Sequence, residues 1–522
     1  MKKKFNVTGT CFPEMHYMAD VSKKLEKVYE LVEDGEYFII NRPRQYGKTT
    51  TLQSIANHYW KSDNYLVFRI SFEGIGDAIF ENEKDFTIGF FELFADYLEI
   101  DDEEPDLLAW IKQTAPKTIT LKLLSKAITE LVKRSQTQVI LLIDEVDKSS
   151  NNQLFVSFLA MLRDKYLMRN KQKTFHSIVL AGVHDVKSLK MKLRPNEESK
   201  LNSPWNIATD FKVDMNLNPD EIKPMLLDYM SETGVKMDIQ AIADRLFYHT
   251  SGYPYLVSRL CKMMAEDILP TKNEKQWTIE DLDISARLLV KESNSNFDSL
   301  IKNLEDNEEL YSQVYMVAIE GERITFNIHN PLTNLGVIYG IFAKLNGNIT
   351  MHNRLYSELI TNYMADKAHQ RQLARGADFG GGYVNDDKTL NMVNILLGFQ
   401  AFMKKEYSKK DRDFLEKNGR LVFLAFLKPI INGSGYDFKE PQISEERRLD
   451  VVVTYFEHKY VAELKIWRGE KAHDKGLVQL ADYLDRQSLT EGYLLIFDHS
   501  EVKKWDSDWT EKNGKRIFMA WV

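Results

Sequence analysis

Tyr37-Phe38-Ile39-Ile40 runs into Asn41-Arg42-Pro43-Arg44-Gln45-Tyr46-Gly47-Lys48-Thr49-Thr50, and a helical pattern follows from Leu52 to about Trp60. A short apolar strand, a Gly-Lys-Thr turn and a helix, in that order, form the context that a phosphate-binding loop requires. Backbone N–H groups at the helix start point at an anion, and the helix dipole favours it. Gly47 lets the backbone approach a phosphate, Lys48 reaches the β- and γ-phosphates, and the Thr49 hydroxyl is placed to ligate Mg²⁺. The usual first glycine of G-x-x-x-x-G-K-[ST] is Arg42 here.

A second segment supports the same reading. Gln138-Val139-Ile140-Leu141-Leu142-Ile143 is continuously apolar, as in a parallel strand buried on both faces. It ends in Asp144-Glu145, at the carboxyl end of the strand, where open α/β sheets bind ligands. Asp144 is suited to hold Mg²⁺ through its water shell, and Glu145 to polarise an attacking water. Strand-like runs at 65–70 and 177–183 alternate with helical stretches near 84–98, 118–134 and 152–169, which predicts a parallel sheet covered by helices. His184-Asp185 follows the last of these strands as a candidate γ-phosphate sensor. Arg163 and Arg194 are candidates for transition-state charge, in cis or from a neighbouring subunit.

The chain has 522 residues, enough for two to four domains. Its 43% hydrophobic and 28% charged content is that of an ordinary globular protein. Cys11 and Cys261 are too few and too distant for a disulfide framework or a cysteine zinc site. The basic start Met1-Lys2-Lys3-Lys4 is followed by no apolar segment, and no run approaches bilayer length. A cytoplasmic location with no membrane partner is therefore expected. The net charge of -8 confines any nucleic-acid contact to a local patch.

From about residue 218 the pattern is helical, with Asn218-Pro219-Asp220-Glu221 as a helix start and Gly252-Tyr253-Pro254 opening a further helix. Taken together, residues 1–290 resemble the archaeal-type, STAND-like branch of the AAA+ ATPases. The resemblance rests on Arg42-Pro43-Arg44-Gln45-Tyr46-Gly47-Lys48-Thr49, on Asp144-Glu145 and on Gly252-Tyr253-Pro254, in that order. It implies ATP as cofactor with Mg²⁺, a binding loop of Arg44, Gln45, Tyr46, Gly47, Lys48, Thr49 and Thr50 with Asp144, and Pro254 as a reporter of nucleotide state. Relatives of this branch often assemble, so a homo-oligomer is a further expectation.

Residues 298–365 read as helices followed by a strand pair, 336–339 and 348–351, flanking Leu345-Asn346-Gly347. This looks like a winged helix, serving as a structural or regulatory module rather than a DNA reader. Arg375-Gly376-Ala377-Asp378-Phe379-Gly380-Gly381-Gly382 then breaks the chain as a flexible connection.

Beyond it, Leu449-Asp450-Val451-Val452-Val453-Thr454-Tyr455 and Tyr460-Val461-Ala462-Glu463-Leu464-Lys465-Ile466 read as two strands. Period-two alternation puts Glu463 and Lys465 on one face, and a hairpin would bring Asp450 towards it. Such oxygen donors suit Mg²⁺ or Mn²⁺. The arrangement resembles the PD-(D/E)XK nuclease superfamily, in the version fused behind these ATPases. The resemblance assigns Glu416 as the first acid, Asp450 and Glu463 as metal ligands, Lys465 as the catalytic lysine, and Gln479 with Tyr483 as the Q-x-x-x-Y helix motif. Motif two lacks its proline, reading Leu449-Asp450. Basic pairs at Lys404-Lys405, Lys409-Lys410 and Arg447-Arg448, with Lys471 and Lys475, are compatible with a phosphate-bearing substrate; the resemblance to the nucleases makes DNA, more than RNA, the expected partner.

The resulting expectation is an α/β protein: a P-loop NTPase core with a parallel sheet (1–215), a helical lid (216–295), a winged-helix-like module (296–370), a glycine-rich linker (371–389) and an α/β restriction-endonuclease-like domain (390–522). Its catalytic residues would be Glu145, Asp450, Glu463, Lys465 and Gln479, with Thr49, Asp144, Glu416, Asp450 and Glu463 on metal. The alternative is an ATP-controlled regulatory or signalling protein whose nuclease-like domain only binds nucleic acid or a partner.

Overall fold

A computed structural model describes residues 2–60, 62–74, 76–101, 104–146, 153–183, 205–320, 322–373, 382–385, 387, 389–406, 419–420, 422–424, 426–427, 430–431, 435–439, 451–455, 458–467, 469–498, 500 and 504–522. Two compact units emerge, Met1–Ser285 with Ile338–Gly340, and Ala286–Val337 with Ile341–Val522.

In the first unit the elements run α1 (Ser22–Glu33), β1 (Tyr37–Asn41), α2 (Lys48–Tyr59), β2 (Tyr65–Ser71), α3 (Glu83–Asp101), α4 (Pro105–Thr114), α5 (Leu121–Arg134), β3 (Gln138–Asp144), α6 (Gln153–Leu167) and β4 (Ser177–Gly182). The four strands form one parallel sheet in the order β1-β4-β3-β2. Alternation along each strand divides the apolar residues between two cores. Tyr37, Ile39, Leu141, Ile143 and Leu180 pack against the phenylalanine-rich face of α3 and its neighbours. Phe38, Ile40, Ile140, Leu142 and Val179 pack against Leu52 and Ile55 of α2 and Val28 of α1. Burial on both faces is why these strands read as continuous apolar runs. Thr209 bridges to Phe38, so the chain around Thr209 runs along the outer side of β1.

Four helices follow: α7 (Pro219–Thr233), α8 (Ile239–Thr250), α9 (Pro254–Met263) and α10 (Ile279–Lys291). The expected start at Asn218 is a full capping box, in which its side chain accepts from Glu221 N and the Glu221 carboxylate accepts from Asn218 N. Pro254 occupies the first turn of α9, where a missing N–H costs nothing.

The second unit opens with α11 (Ser295–Glu305), α12 (Glu308–Tyr315) and α13 (Pro331–Ile338), then β5 (Phe342–Leu345) and β6 (Asn348–Met351). Here one expectation is corrected. Residues 336–338 close a helix instead of forming a strand, because the Asn330 side chain accepts from Leu332 N and Thr333 N at its start. Gly336 faces the Phe342 ring so closely that a Cβ would lie 2.1 Å from it. The hairpin turn is at Asn346-Gly347 as expected, both with positive φ, but its first strand begins at Phe342. A short apolar run cannot be assigned to strand or helix by periodicity alone.

After α14 (Arg354–Leu373) and α15 (Met392–Glu406) comes a mixed sheet. It comprises β7 (Gly435–Lys439), β8 (Val451–Tyr455), β9 (His458–Ile466), β10 (Glu491–Phe497), β11 (Ser507–Lys512) and β12 (Lys515–Trp521), in the order β11-β12-β10-β9-β8-β7. β8 and β9 are antiparallel, whereas β9 and β10 are parallel and joined through α16 (Glu470–Arg486). Leu477, Leu480, Ala481 and Leu484 form the buried stripe of α16 and pack on Val452, Val461, Leu494 and Ile496. No helix among the described residues is long and apolar enough to cross a membrane.

Candidate functional site

Because the strands of the first sheet are parallel, the loop after β1 and Asp144 at the end of β3 lie at the same edge. Register fixes their relative height: Ile39 and Ile143 both pair with Leu180 of the intervening β4. Asp144 is thus level with the last turns of β1, two strand spacings away, about 10 Å.

The loop turns through two left-handed residues, Gln45 (φ 56°) and Gly47 (φ 81°). Gly47 tolerates this conformation freely, and Gln45 does so at a cost. Gly47 is the N-cap of α2 and brings no capping side chain, so the N–H groups of the first turn are directed into the loop. Lys48 is 8% exposed and its Nζ donates to Arg42 O (3.0 Å) and Pro43 O (2.9 Å), which holds the ammonium inside the curl of the loop. Gln45 Oε1 is buried with no hydrogen-bond partner among the described residues. Thr49 is half-buried on the first turn of α2. Thr50 faces elsewhere, its Oγ1 accepting from Cys11 N of the N-terminal segment (3.2 Å).

Arg42, which stands where a glycine was expected, acts as a strut. Its guanidinium donates to Val213 O (2.8 Å) and lies over the Phe211 ring, 5.2 Å from the centroid. Burial pushes its pKa down, with Tyr46 and Asp214 opposing. Tyr46 donates to Asn216 Oδ1 and meets the Tyr253 ring edge-on at 4.5 Å. Burial, then the neighbouring Tyr253, raises the pKa of the Tyr46 hydroxyl. Tyr253 in turn donates to Arg44 O at 2.6 Å. Tyr253 and Asn216 are thus structural parts of the loop that its sequence motif does not mark. The one available signal was an aromatic residue between Gly252 and Pro254.

Asp144 is 4% exposed, and its Oδ1 accepts from Glu145 N at 3.0 Å. Glu145 has φ 55°, a left-handed conformation that turns the chain sharply off the strand. Thr49 and Asp144 offer hydroxyl and carboxylate oxygens, the hard donors that Mg²⁺ takes. Arg163 is on α6 with its Nε buried. His184, Asp185 and Arg194 lie outside the described residues.

In the second unit, Val461, Glu463 and Lys465 share the face of β9 that α16 covers. Glu463 is 6% exposed, and Lys465 Nζ lies 2.7 Å from its Oε1. The same Nζ donates to Gln479 Oε1 on α16 at 3.1 Å. Gly476 makes this possible, since a Cβ there would lie 3.1 Å from Lys465 Cε and 3.2 Å from its Nζ. That glycine had no role in the sequence reading; its position three residues before Gln479, on the side of α16 facing β9, explains it. Tyr483 is buried against the same sheet. Glu416 and Asp450 lie outside the described residues, as does all of the glycine-rich break except Gly382. Among the described residues no group of three or more His, Cys, Asp or Glu side chains converges to hold a metal.

Comparison with known proteins places this geometry in context. A family model described as an AAA-like domain matches residues 14–362. The chain is similar to a solved Walker-type ATPase of Pyrococcus abyssi, at 11% identity and TM-score 0.48, covering 68% of this chain and 99% of that one. It is also similar to the ORC2 protein of Aeropyrum pernix, at 11% identity and TM-score 0.37, covering 67% and 93%. A third is the RuvB Holliday junction branch migration motor of Thermotoga maritima, at 13% identity and TM-score 0.34, covering 68% and 95%. No curated protein matches.

Proposed function

This chain belongs to the AAA-like domain family, and on that premise we propose that it is an ATP-hydrolysing protein whose second unit cleaves phosphodiester bonds in DNA. In the first unit, Lys48 and the N–H groups of the first turn of α2 hold the phosphates, within a loop completed by Arg44, Gln45 and Tyr46; the Thr50 side chain, bound to Cys11 N, takes no part. Thr49 and Asp144 are the residues that would hold Mg²⁺, which supplies neutralisation of phosphate charge. Glu145 orients and deprotonates the attacking water. Lys48→Ala should abolish ATP binding measured by calorimetry; unchanged binding removes this assignment.

For the second unit, the observation that carries the reading is the position of Lys465, whose ammonium spans Glu463 Oε1 and Gln479 Oε1. A carboxylate and a lysine so paired, with the lysine steered by a helix amide, form the polar half of a site that binds a scissile phosphate and orients water. Glu416, Asp450 and Glu463 would hold Mg²⁺ or Mn²⁺ there. Lys465 neutralises charge developing on the phosphate, and Gln479 positions it. Plasmid DNA incubated with Mg²⁺ or Mn²⁺, with and without ATP, should be cut by the wild type and spared by Lys465→Ala. Intact plasmid in every lane would leave the regulatory alternative, in which this unit only binds nucleic acid or a partner.

A further inference from the structure

Away from both sites, the first unit gathers unpaired positive charge around a cleft of about 390 Å³ between α5 and the connection from α6 to β4. That volume falls in the range of small-ligand pockets. Lys126 and Lys133 line it from α5, Lys171 and Lys173 from the connection. None of the four makes an ion pair among the described residues. The acid in the wall, Glu130, is taken by Arg134, whose Nε lies 3.1 Å from its Oε1.

The cleft is backed by a buried ammonium. Lys165 is 2% exposed, and its Nζ donates to Ser125 O (2.9 Å) and Thr129 Oγ1 (2.6 Å), both of them lining residues. An ammonium has three donors, so one is left without an acceptor among the described residues. Burial pushes this lysine down to about 8, with Asp164 opposing. An anion in the cleft would offset that cost of burial.

Spacing indicates the form of the anion. Lys126 and Lys133 are seven residues apart on one helix, hence on one face and about 10 Å apart along its axis. Charge spread over that length fits consecutive phosphates better than a single one. The cleft also differs in place from the loop after β1. The α6–β4 connection enters β4 at its N-terminal end, whereas that loop lies at the C-terminal ends of the strands, about 20 Å away along a strand of this length.

We propose that this cleft is a second anion site of the first unit, taking consecutive phosphate groups from a free oligophosphate or from a nucleic-acid backbone. Calorimetric titration of the full chain with tripolyphosphate, and separately with a short single-stranded oligodeoxynucleotide, tests it. The comparison is with a variant carrying Lys126→Ser, Lys133→Ser, Lys171→Ser and Lys173→Ser, its fold checked by melting. The variant should bind one equivalent of tripolyphosphate fewer than the wild type, or bind it at least about tenfold more weakly, with the salt slope reduced by about one per lost contact. Tripolyphosphate binding alone assigns a free oligophosphate, and binding of both ligands admits a strand. Equal stoichiometry and affinity in the two proteins overturns the site. Lys48→Ala, titrated in parallel, removes only the equivalent held by the loop after β1, so failure of that loop and failure of this cleft give different results.

Discussion

Tyr253 donates its hydroxyl to Arg44 O across 2.6 Å, so the turn that opens α9 rests on the backbone of the loop after β1. Tyr46 reinforces the junction from the loop side, edge-on to the same ring. A change in the loop conformation on nucleotide binding must therefore move or break this bond. Tyr253→Phe should lower stability by about 1 kcal/mol and shift the dissociation constant for ATP several-fold. Urea melts and nucleotide titrations check this, and an unchanged ATP affinity would mean that the contact only supports the fold.

Gly252, one residue earlier, has φ 75°, and a Cβ there would lie 2.1 Å from Leu217 O. Its carbonyl also accepts from Leu217 N at 2.8 Å. Backbone cannot withdraw as a side-chain tip can. Gly252→Ala is expected to destabilise the first unit by at least about 2 kcal/mol, read from the urea midpoint.

If the second unit acts as proposed, a substitution at Gly476 separates its stability from its cleavage. An alanine inside α16 should raise helix stability by up to about 1 kcal/mol. Its Cβ would press on Lys465 at 3.1–3.3 Å and displace the ammonium. Gly476→Ala should keep or raise the melting temperature while lowering plasmid cleavage about tenfold. Gln479→Ala should lower cleavage by removing the bond that holds Lys465. Full cleavage by both variants would dissociate Lys465 from the chemistry.

Acid sensitivity is expected at Asp283. Burial opposes its ionisation, but hydrogen bonds from His249 and Arg245 outweigh that and hold it at about 2, below its ordinary 3.8. Arg245 donates from Nε to Oδ1 and from Nη2 to Oδ2, each at 2.7 Å, and His249 Nε2 lies 2.8 Å from Oδ1. A carboxylate depressed in the folded state contributes stability that is fully present above pH 4 and lost as pH falls towards 2. Urea denaturation between pH 5 and pH 2 should show a steeper loss for the wild type than for Asp283→Asn. Parallel curves would contradict it.

Much of the first unit was legible because its strands are buried on both faces, and an apolar run such as Val139–Ile143, alternating with helical stretches along the chain, fits a strand inside a parallel sheet. The helix start at Asn218 was legible because its chemistry is local, and the structure adds that it is a capping box. The strand at 336–339 was misread because four apolar residues carry no period of their own, and the contacts that decided for a helix come from Asn330 and Phe342. The side-by-side placement of Glu463 and Lys465 followed from alternation along one strand. Gln479 reaches Lys465 only because α16 folds back over β9, with Gly476 leaving room.

The amino-acid order by itself determined the strands and helices around β1 and β3, their buried faces and the residue types gathered at the ends of those two strands, since these depend on interactions within a few residues. Tertiary structure alone decided the strand order β1-β4-β3-β2, the bond from Tyr253 to Arg44 and the assembly of lysines around Lys165. Each of these joins groups far apart in the chain, and the free energy that selects such pairings comes from packing whole elements together, which no local pattern encodes.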